Sequence, residues 1–297
     1  MSESPPKQRS LVRRIVRIPP VTLILGFVFV ALPMVVIGSV FNPLPGFLLP
    51  ESPWRDVLSL LLSLIRAAVA VVAYWLFVHW VEDRPVPEIS LKNAIPEFLS
   101  GLAAGSILFV LTIGTIWLLG YYQVVSINGL AFIWAPLATA VMAGIVEEIL
   151  FRALLFRLFE EWLGSWMALG ISALFFGFAH GANPNATIVS SAAIALEAGL
   201  LLAAAYMVTR RLWLAAGIHL AWNFVQGGIF GVAVSGIAQT GLLEANLSGP
   251  ALLSGGEFGA EASLVAVIFC LLLAVAFLYQ ARSKFVPAPW QRQKSAL

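Results

Sequence analysis

The chain has 297 residues, of which 60% are hydrophobic and 11% are charged, and its formal net charge is +2. Because soluble domains usually carry about 25% charged residues, this composition excludes an ordinary soluble protein, and it gives no support for nucleic-acid binding. The mean hydropathy of +0.93 indicates an integral membrane protein. The single cysteine, Cys270, excludes an internal disulfide and a cysteine-based metal cluster.

Apolar runs of about 20 residues, the length that crosses a bilayer, divide the chain into candidate membrane spans. Eight spans are predicted, at about 21–41, 57–81, 97–122, 131–156, 166–182, 186–208, 213–235 and 262–281. The fold class is therefore all-α: a polytopic membrane protein whose helices enclose a polar cavity. A basic N-terminal tail (1–20), three first helices (21–122), a core (131–235), a last helix (262–281) and a basic C-terminal tail (282–297) follow one another. The segment 242–261 is predicted to be irregular.

The basic residues predict the orientation, because cytoplasmic loops are enriched in Lys and Arg. With a cytoplasmic N-terminus, the same side receives Lys7, Arg9, Arg13, Arg14, Arg17, Arg84, Lys92, Arg157, Arg210, Arg211, Arg282, Lys284, Arg292 and Lys294. The opposite side receives only Arg55. We therefore expect a multi-pass protein of the plasma membrane with both termini in the cytoplasm, and a cavity that opens toward the cytoplasm.

The fourth span contains an unusual cluster of charges, Glu147, Glu148 and Arg152. Each charge at the bilayer centre costs roughly 2.5–3.5 kcal/mol, so the cluster needs partners or a polar cavity. Glu148 and Arg152 are four residues apart and share a helix face. Glu147 points about 100° away and stays available. The simpler interpretation is a structural ion pair with one spare acid.

Two of the three histidines lie in apolar helix with a polar or aromatic partner at the same spacing. Phe176 precedes His180 by four residues, and His219 precedes Asn223 by four. Either histidine alone would more often be a satisfied core residue. Together with Glu147 they supply a carboxylate base, two imidazoles and an amide donor, which are the parts of a water-activating site.

The three motifs EExxxR, FxxxH and HxxxN, in this order on three membrane helices, resemble the CPBP family. This is the CaaX-protease and bacteriocin-processing group of intramembrane proteases, also called ABI proteins, and the resemblance covers about residues 144–224. It implies hydrolysis of a peptide bond in a membrane-associated peptide or protein within the lipid bilayer. It further implies that Glu147 is the general base on a water that His180 also holds.

The resemblance implies roles for the remaining motif residues as well. Glu148 and Arg152 would orient the first motif, and His219 with Asn223 would stabilise the oxyanion of the tetrahedral intermediate. The substrate stays open between a prenylated CaaX tail and unprenylated peptides or membrane proteins.

No cofactor is certain from the sequence. Glu147, His180 and His219 could hold Zn²⁺ with an open position for water. A metal-free glutamate mechanism fits the same residue types and is slightly favoured, because Asn223 is a poor zinc ligand and a natural oxyanion donor. Both mechanisms stay open.

Two other classes of function compete with a protease. A transporter or channel would also place Glu, Arg and His inside the membrane, and Arg66 and Glu197 lie in apolar runs outside the motifs. Their simpler interpretation is charge pairing with each other or with the motifs, and no inverted repeat typical of transporters is found. The third possibility is a non-catalytic immunity or binding protein of the same fold.

The depth of His180 sets a condition on the fifth helix. If this helix starts at Trp166, His180 lies too near its outer end to meet Glu147. We therefore expect the fifth helix to begin near Gly170, with residues 159–168 along the membrane interface.

Overall fold

A computed structural model describes residues 18–50, 52, 54–289 and 291. It confirms the all-α polytopic class, because seven helices of the described chain are long and apolar enough to cross a membrane. These are α1 (Pro19–Leu48), α2 (Arg55–Glu82), α3 (Ala94–Leu118), α4 (Leu130–Leu163), α5 (Ser165–Ala182), α6 (Ile188–Thr209) and α8 (Leu264–Lys284). The basic tail residues at positions 7–17, 292 and 294 lie outside the described residues.

The seventh predicted span is shorter than its apolar run. Helix α7 covers Trp213–Asn223 and continues as a π-helix over Phe224–Ile229. It ends before Gly231, whose φ is +63°. A Cβ at Gly231 would lie 2.1 Å from the carbonyl oxygen of Leu243, so the backbone leaves the helix here to approach another segment.

That segment belongs to a small two-stranded sheet that the sequence does not predict. Strand β1 (Tyr122–Ile127) pairs antiparallel with β2 (Leu243–Leu247), with an irregularity between Val124 and Ser126. The expectation of an irregular 242–261 segment is therefore wrong in its first part. Because β1 follows the last residue of α3, the sheet lies at one end of the helix bundle, which we call the sheet end.

The opposite end of the bundle carries a layer of ion pairs from the loops and helix ends. Arg157 Nη2 lies 2.6 Å from Glu82 Oε1, and Arg84 Nη1 lies 2.9 Å from Glu88 Oε1. We call this the ionic layer, and its members are Glu82, Arg84, Glu88, Glu97, Arg157, Glu160, Arg210 and Arg211. It gathers the described loop arginines of the predicted basic side at one end of the bundle.

The turn between α4 and α5 differs from the prediction. Helix α4 continues to Leu163, and α5 begins at Ser165 after Gly164, whose φ is +84°. The segment is not a separate helix, because α4 continues through it, and Glu160 is buried, accepts a hydrogen bond from the Ser165 hydroxyl and pairs with Arg210. The polar residues that suggested an interfacial helix instead belong to the ionic layer.

Helix α7 packs against α3 and α4 through closely approaching backbones. A Cβ at Gly101 of α3 would lie 2.4 Å from the carbonyl oxygen of Leu214, and one at Gly144 of α4 would lie 3.1 Å from that of Ala216. Small residues allow membrane helices to approach in this way and gain van der Waals contact. The glycines therefore fix α7 against α4, one turn away from Glu147.

Candidate active site

One carboxylate oxygen of Glu147 lies beside two imidazoles. Glu147 Oε2 is 3.8 Å from His180 Nε2 and 4.0 Å from His219 Nε2. Glu147 ends the π-helical segment Ala143–Glu147 of α4, and such segments are frequent at functional sites. Helices α4, α5 and α7 thus bring the acid and both histidines together.

The α4–α5 turn explains why Glu147 and His180 meet. Gly164 lies at nearly equal sequence distance from both residues, about 25 Å along each helix at 1.5 Å per residue. The predicted mismatch in depth was wrong because α4 is longer than its apolar run and α5 starts directly at the turn. The two residues are therefore level in the bundle.

Hydrogen bonds on the far side of each ring determine which nitrogen faces Glu147. His180 Nδ1 lies 2.7 Å from the carbonyl oxygen of Phe176, and His219 Nδ1 lies 2.9 Å from Glu148 Oε1. Because a carbonyl and a carboxylate only accept, we assign the hydrogen to Nδ1 in both rings. In its neutral form, each imidazole then directs the lone pair of its Nε2 toward Glu147, and in its protonated form it donates from Nε2.

Glu148 links the first motif to the third. Its side chain is fully buried, and its Oε2 lies 3.2 Å from Nε of the equally buried Arg152. The spacing predicts this ion pair, but it does not predict the contact of Glu148 with His219, which joins α4 to α7. Glu148 therefore orients the imidazole of His219 and stabilises its protonated form.

Arg152 in turn holds α4 against α5 and α6. Its Nη2 donates to the carbonyl oxygen of Ala198 at 3.0 Å, and its guanidinium carbon lies 4.4 Å from the ring centroid of Phe176. These contacts connect the Glu148–Arg152 pair to the FxxxH motif. A change at Arg152 should consequently disturb three helices at once.

The site borders a cavity of about 670 Å³, which we call the main cavity. Glu147, His180 and Asn223 line it together with Arg66 and Asn42. The Glu147 side chain is 31% exposed, so water and a substrate can reach it. This volume falls within the range of roughly 300–1,000 Å³ that is typical of ligand sites.

The main cavity extends toward the sheet end, not toward the ionic layer. Its walls include the end of α1, the first half of α2, the start of α4 and the turns at Asn183 and Gln239. The predicted opening on the basic side is wrong because the α2–α3 loop covers the start of α7. There, Leu212 N donates to the carbonyl oxygen of Glu88, and Trp213 Nε1 donates to that of Ser90.

A second cavity of about 20 Å³, enough for one water molecule, shares His180 and Asn223 with the main cavity. Glu261, which is 2% exposed, lines it beside His219 and accepts a hydrogen bond from the Ser235 amide. Burial raises the pKa of Glu261 to about 7. Sequence reasoning missed this residue, since its only signal was an acid directly before the last apolar run.

Arg66 and Glu197 are not paired with each other. Arg66 Nη1 donates to Asn42 Oδ1 at 2.7 Å, whereas Glu197 lies near Arg152 and hydrogen-bonds to Cys270. Among the described residues, Arg152 forms its ion pair with Glu148 and not with Glu197, so the expected motif-directed pairing of Glu197 is not formed. For Arg66, the described residues offer no carboxylate partner.

The two known distances among the three candidate metal ligands are longer than those of a tetrahedral zinc site. Two ligands roughly 2.0–2.1 Å from a tetrahedral zinc are about 3.4 Å apart. Glu147 Oε2 lies farther from both histidine nitrogens, at 3.8 and 4.0 Å. Among the described residues, no group of three His, Cys, Asp or Glu side chains could hold a metal ion.

The fold and the site define a polytopic membrane protein with a glutamate and two histidines from three helices at one cavity. A family model described as type II CAAX prenyl endopeptidase Rce1-like matches residues 129–225. This match confirms the resemblance to the CaaX-protease and bacteriocin-processing family, and the matched segment, which carries all three motifs, is similar to a CAAX-type protease. It covers less than half of the chain. No curated protein and no solved structure matches the chain.

Proposed function

We propose that the protein hydrolyses a peptide bond of a membrane-associated peptide or protein with a water that Glu147 and His180 activate. The observation that carries this proposal is the position of Glu147 Oε2, 3.8 and 4.0 Å from two imidazole nitrogens. Polar atoms at that separation are too far apart for a direct hydrogen bond, but one water can bridge them. Such a water is the nucleophile of the proposed reaction.

The first step follows from the charges at the site. The Glu147 carboxylate accepts a proton from the water while the oxygen of the water attacks the substrate carbonyl carbon. His180 accepts the second hydrogen bond of the water at its Nε2, since its Nδ1 donates to Phe176. This positions the oxygen lone pair for attack.

In this proposal, His219 and Asn223 stabilise the oxyanion of the tetrahedral intermediate by donating hydrogen bonds to it. The amide of Asn223 is a neutral donor at the wall of the main cavity. His219 donates from Nε2 when its ring is protonated, a form that Glu148 stabilises from the other side. A buried donor of this kind contributes about 3–4 kcal/mol to the transition state.

The reaction ends with cleavage of the carbon–nitrogen bond. Glu147, now protonated, delivers its proton to the leaving amine, and the new carboxyl group loses the second water proton. Glu147 is thereby restored as a carboxylate. We infer a metal-free reaction, since the spacing of the three donors fits a bridging water better than zinc and Asn223 suits an oxyanion.

The replacement Glu147→Gln tests this function. It keeps the size of the side chain but removes the base, so cleavage of membrane-embedded tail peptides in vesicles should fall about 10²–10⁴-fold. Glu257→Gln, at an exposed position away from both cavities, is the matched control and should keep full activity. Wild-type activity should also survive exhaustive metal chelation.

Two results would contradict the proposal. Full activity of Glu147→Gln would remove Glu147 from the reaction, and loss of wild-type activity on chelation with recovery on adding zinc would reject the metal-free step. Equal loss in both variants would assign the effect to the fold.

We further infer that the ionic layer faces the cytoplasm of the plasma membrane, because basic loops remain on that side. The main cavity would then open away from the cytoplasm. Two cysteines test this orientation in a Cys270→Ala background: Ser283→Cys beside the ionic layer and Ser248→Cys at the sheet end, both exposed.

An impermeant thiol reagent should label Ser283→Cys from the cytoplasmic face and Ser248→Cys from the opposite face. The reverse pattern would show that the protein has the opposite orientation in the membrane and that the main cavity opens toward the cytoplasm. Labelling of both from one face would contradict the arrangement of the two ends.

A further inference from the structure

Arg66 is the one arginine or lysine among the described residues that line the main cavity. It lies in the membrane-spanning helix α2, where a charge is costly and usually faces a water-filled cavity or a partner. No described carboxylate lies within ion-pair distance of it, and its hydrogen-bond partner is the neutral Asn42, whose Oδ1 accepts from Nη1 at 2.7 Å. The positive charge is therefore held in place but not neutralised.

Helix α1 is shaped to receive this guanidinium. Gly38 lies one turn before Asn42, and a Cβ at Gly38 would be 2.8 Å from Arg66 Nη2. The buried Nε of Arg66 has no hydrogen-bond partner, although buried donors are almost always satisfied. A guanidinium held in this way at the cavity wall is suited to a carboxylate, which can accept charge-assisted hydrogen bonds from its Nη atoms.

The charges around the main cavity then orient a peptide. Glu147 is the sole carboxylate among its described lining residues, and Arg66 the sole permanent cation. A negatively charged peptide end is repelled by Glu147 and attracted by Arg66. A sphere of the cavity's 670 Å³ would be about 11 Å across, the length of roughly three extended residues.

We propose that Arg66 binds the C-terminal carboxylate of the substrate and so sets the length of the tail that is cleaved off. This rests on the proposed peptidase function, which supplies the scissile bond at Glu147. Arg66 and Glu147 line the same cavity, so a peptide whose free carboxylate lies a few residues from the scissile bond can reach both. Arg66 is a binding residue in this proposal and takes no part in proton transfer.

A lipid phosphate is the competing source of the same anionic chemistry. Arg66 also borders an apolar groove of about 530 Å³ between α1 and α4, lined by residues such as Met34, Val35 and Leu150. A head group could approach through it. The peptide carboxylate is favoured because Arg66 and Glu147 line the same cavity, and the experiment separates the two sources.

The test measures binding apart from cleavage. Two fluorescent peptides share one CAAX-type tail and end in either a carboxylate or a carboxamide, and their dissociation constants are measured on the full-length Glu147→Gln protein in neutral phosphatidylcholine vesicles. The carboxylate peptide should bind about 10- to 100-fold more tightly, as expected for charge-assisted hydrogen bonds worth roughly 1.5–3 kcal/mol. Adding Arg66→Gln should abolish this preference and leave carboxamide binding unchanged.

Two further variants provide controls. Arg66→Lys keeps the charge but loses the bidentate geometry, so it should retain part of the preference and show that the fold tolerates changes here. Arg55→Gln removes an exposed arginine of the same helix that does not line the main cavity, and it should retain the full preference.

Equal binding of both peptides, or absence of binding, would overturn the proposal. An equal loss of affinity for both peptides in Arg66→Gln would overturn it as well. If the preference appears only when anionic phosphatidylglycerol is added, a lipid phosphate is the ligand and the peptide assignment is wrong. Cleavage by the protein with Glu147 intact is assayed separately. Failure of the peptidase function would therefore leave the carboxylate preference measurable, and the two failures remain distinguishable.

Discussion

The ionic layer and the active site use the same residue types, glutamate and arginine, in opposite ways. In the layer, each arginine meets one or more carboxylates from another loop or helix, as Arg157 does with Glu82 and Glu88. Around the site, several buried polar atoms have no hydrogen-bond partner. Among the described residues, such atoms belong to Arg66, Glu147, Glu148, Arg152, Trp222 and Gln226.

This difference shows that structural and functional charges in this membrane protein differ in whether their hydrogen bonds are satisfied, not in residue type. The layer lies at the bundle end, where its pairs hold loops and helix ends together. The site lies within the helices, where unmet hydrogen bonds are costly. For Arg66 and Glu147, which line the main cavity, water and a substrate can supply the missing partners, and this is the state that the proposed reaction requires.

The largest expected effect comes from breaking the buried pair. Arg152→Ala leaves Glu148 as an uncompensated charge in a fully buried position, so the free energy of unfolding should fall by about 3–5 kcal/mol. Thermal unfolding in detergent measures the loss. Activity should fall as well, because His219 would lose the carboxylate geometry that orients it.

A second variant separates charge from packing at the same position. Glu148→Gln combined with Arg152→Met removes both charges and keeps most of the volume, and stability should return close to that of the wild type while activity stays low. Stability that stays low in the double variant would show that the contacts of Arg152 with Ala198 and Phe176, not its charge, hold the helices.

The next effect concerns Glu261, because burial raises the pKa of its carboxyl group to about 7. A raised pKa in the folded state favours the protonated carboxyl group. The contribution of this group to the free energy of unfolding is therefore complete below the usual pKa of about 4.3, and it is lost as pH rises toward 7. Over that interval the difference in unfolding free energy between the wild type and Glu261→Gln should shift by roughly 3 kcal/mol in favour of the variant.

Unfolding of both proteins across pH 4 to 8 measures this difference, and the common titrations cancel in the comparison. The glutamine keeps an oxygen to accept from the Ser235 amide. A difference that does not change with pH would contradict a protonated Glu261 in the folded protein.

The sequence predicted the helices and the motif residues because both signals are local. An apolar run predicts a membrane span, and a four-residue spacing predicts the Glu148–Arg152 ion pair. Contacts between distant segments gave no such signal. The Glu148–His219 hydrogen bond, the burial of Glu261 and the direction of the main cavity depend on how α7 and the α2–α3 loop pack.

The smallest effect is expected in the ionic layer at Arg211, which pairs with Glu97. The arginine side chain is 24% exposed and the glutamate 13%, so solvent screens the pair and its net contribution is up to about 1 kcal/mol. Arg211→Gln should therefore lower the unfolding free energy by no more than this and leave peptide cleavage unchanged. Raising the salt concentration should reduce the difference from the wild type further. A loss as large as that of Arg152→Ala, unaffected by salt, would mean that this pair is as shielded from solvent as the Glu148–Arg152 pair and that the contrast between the ionic layer and the site is wrong.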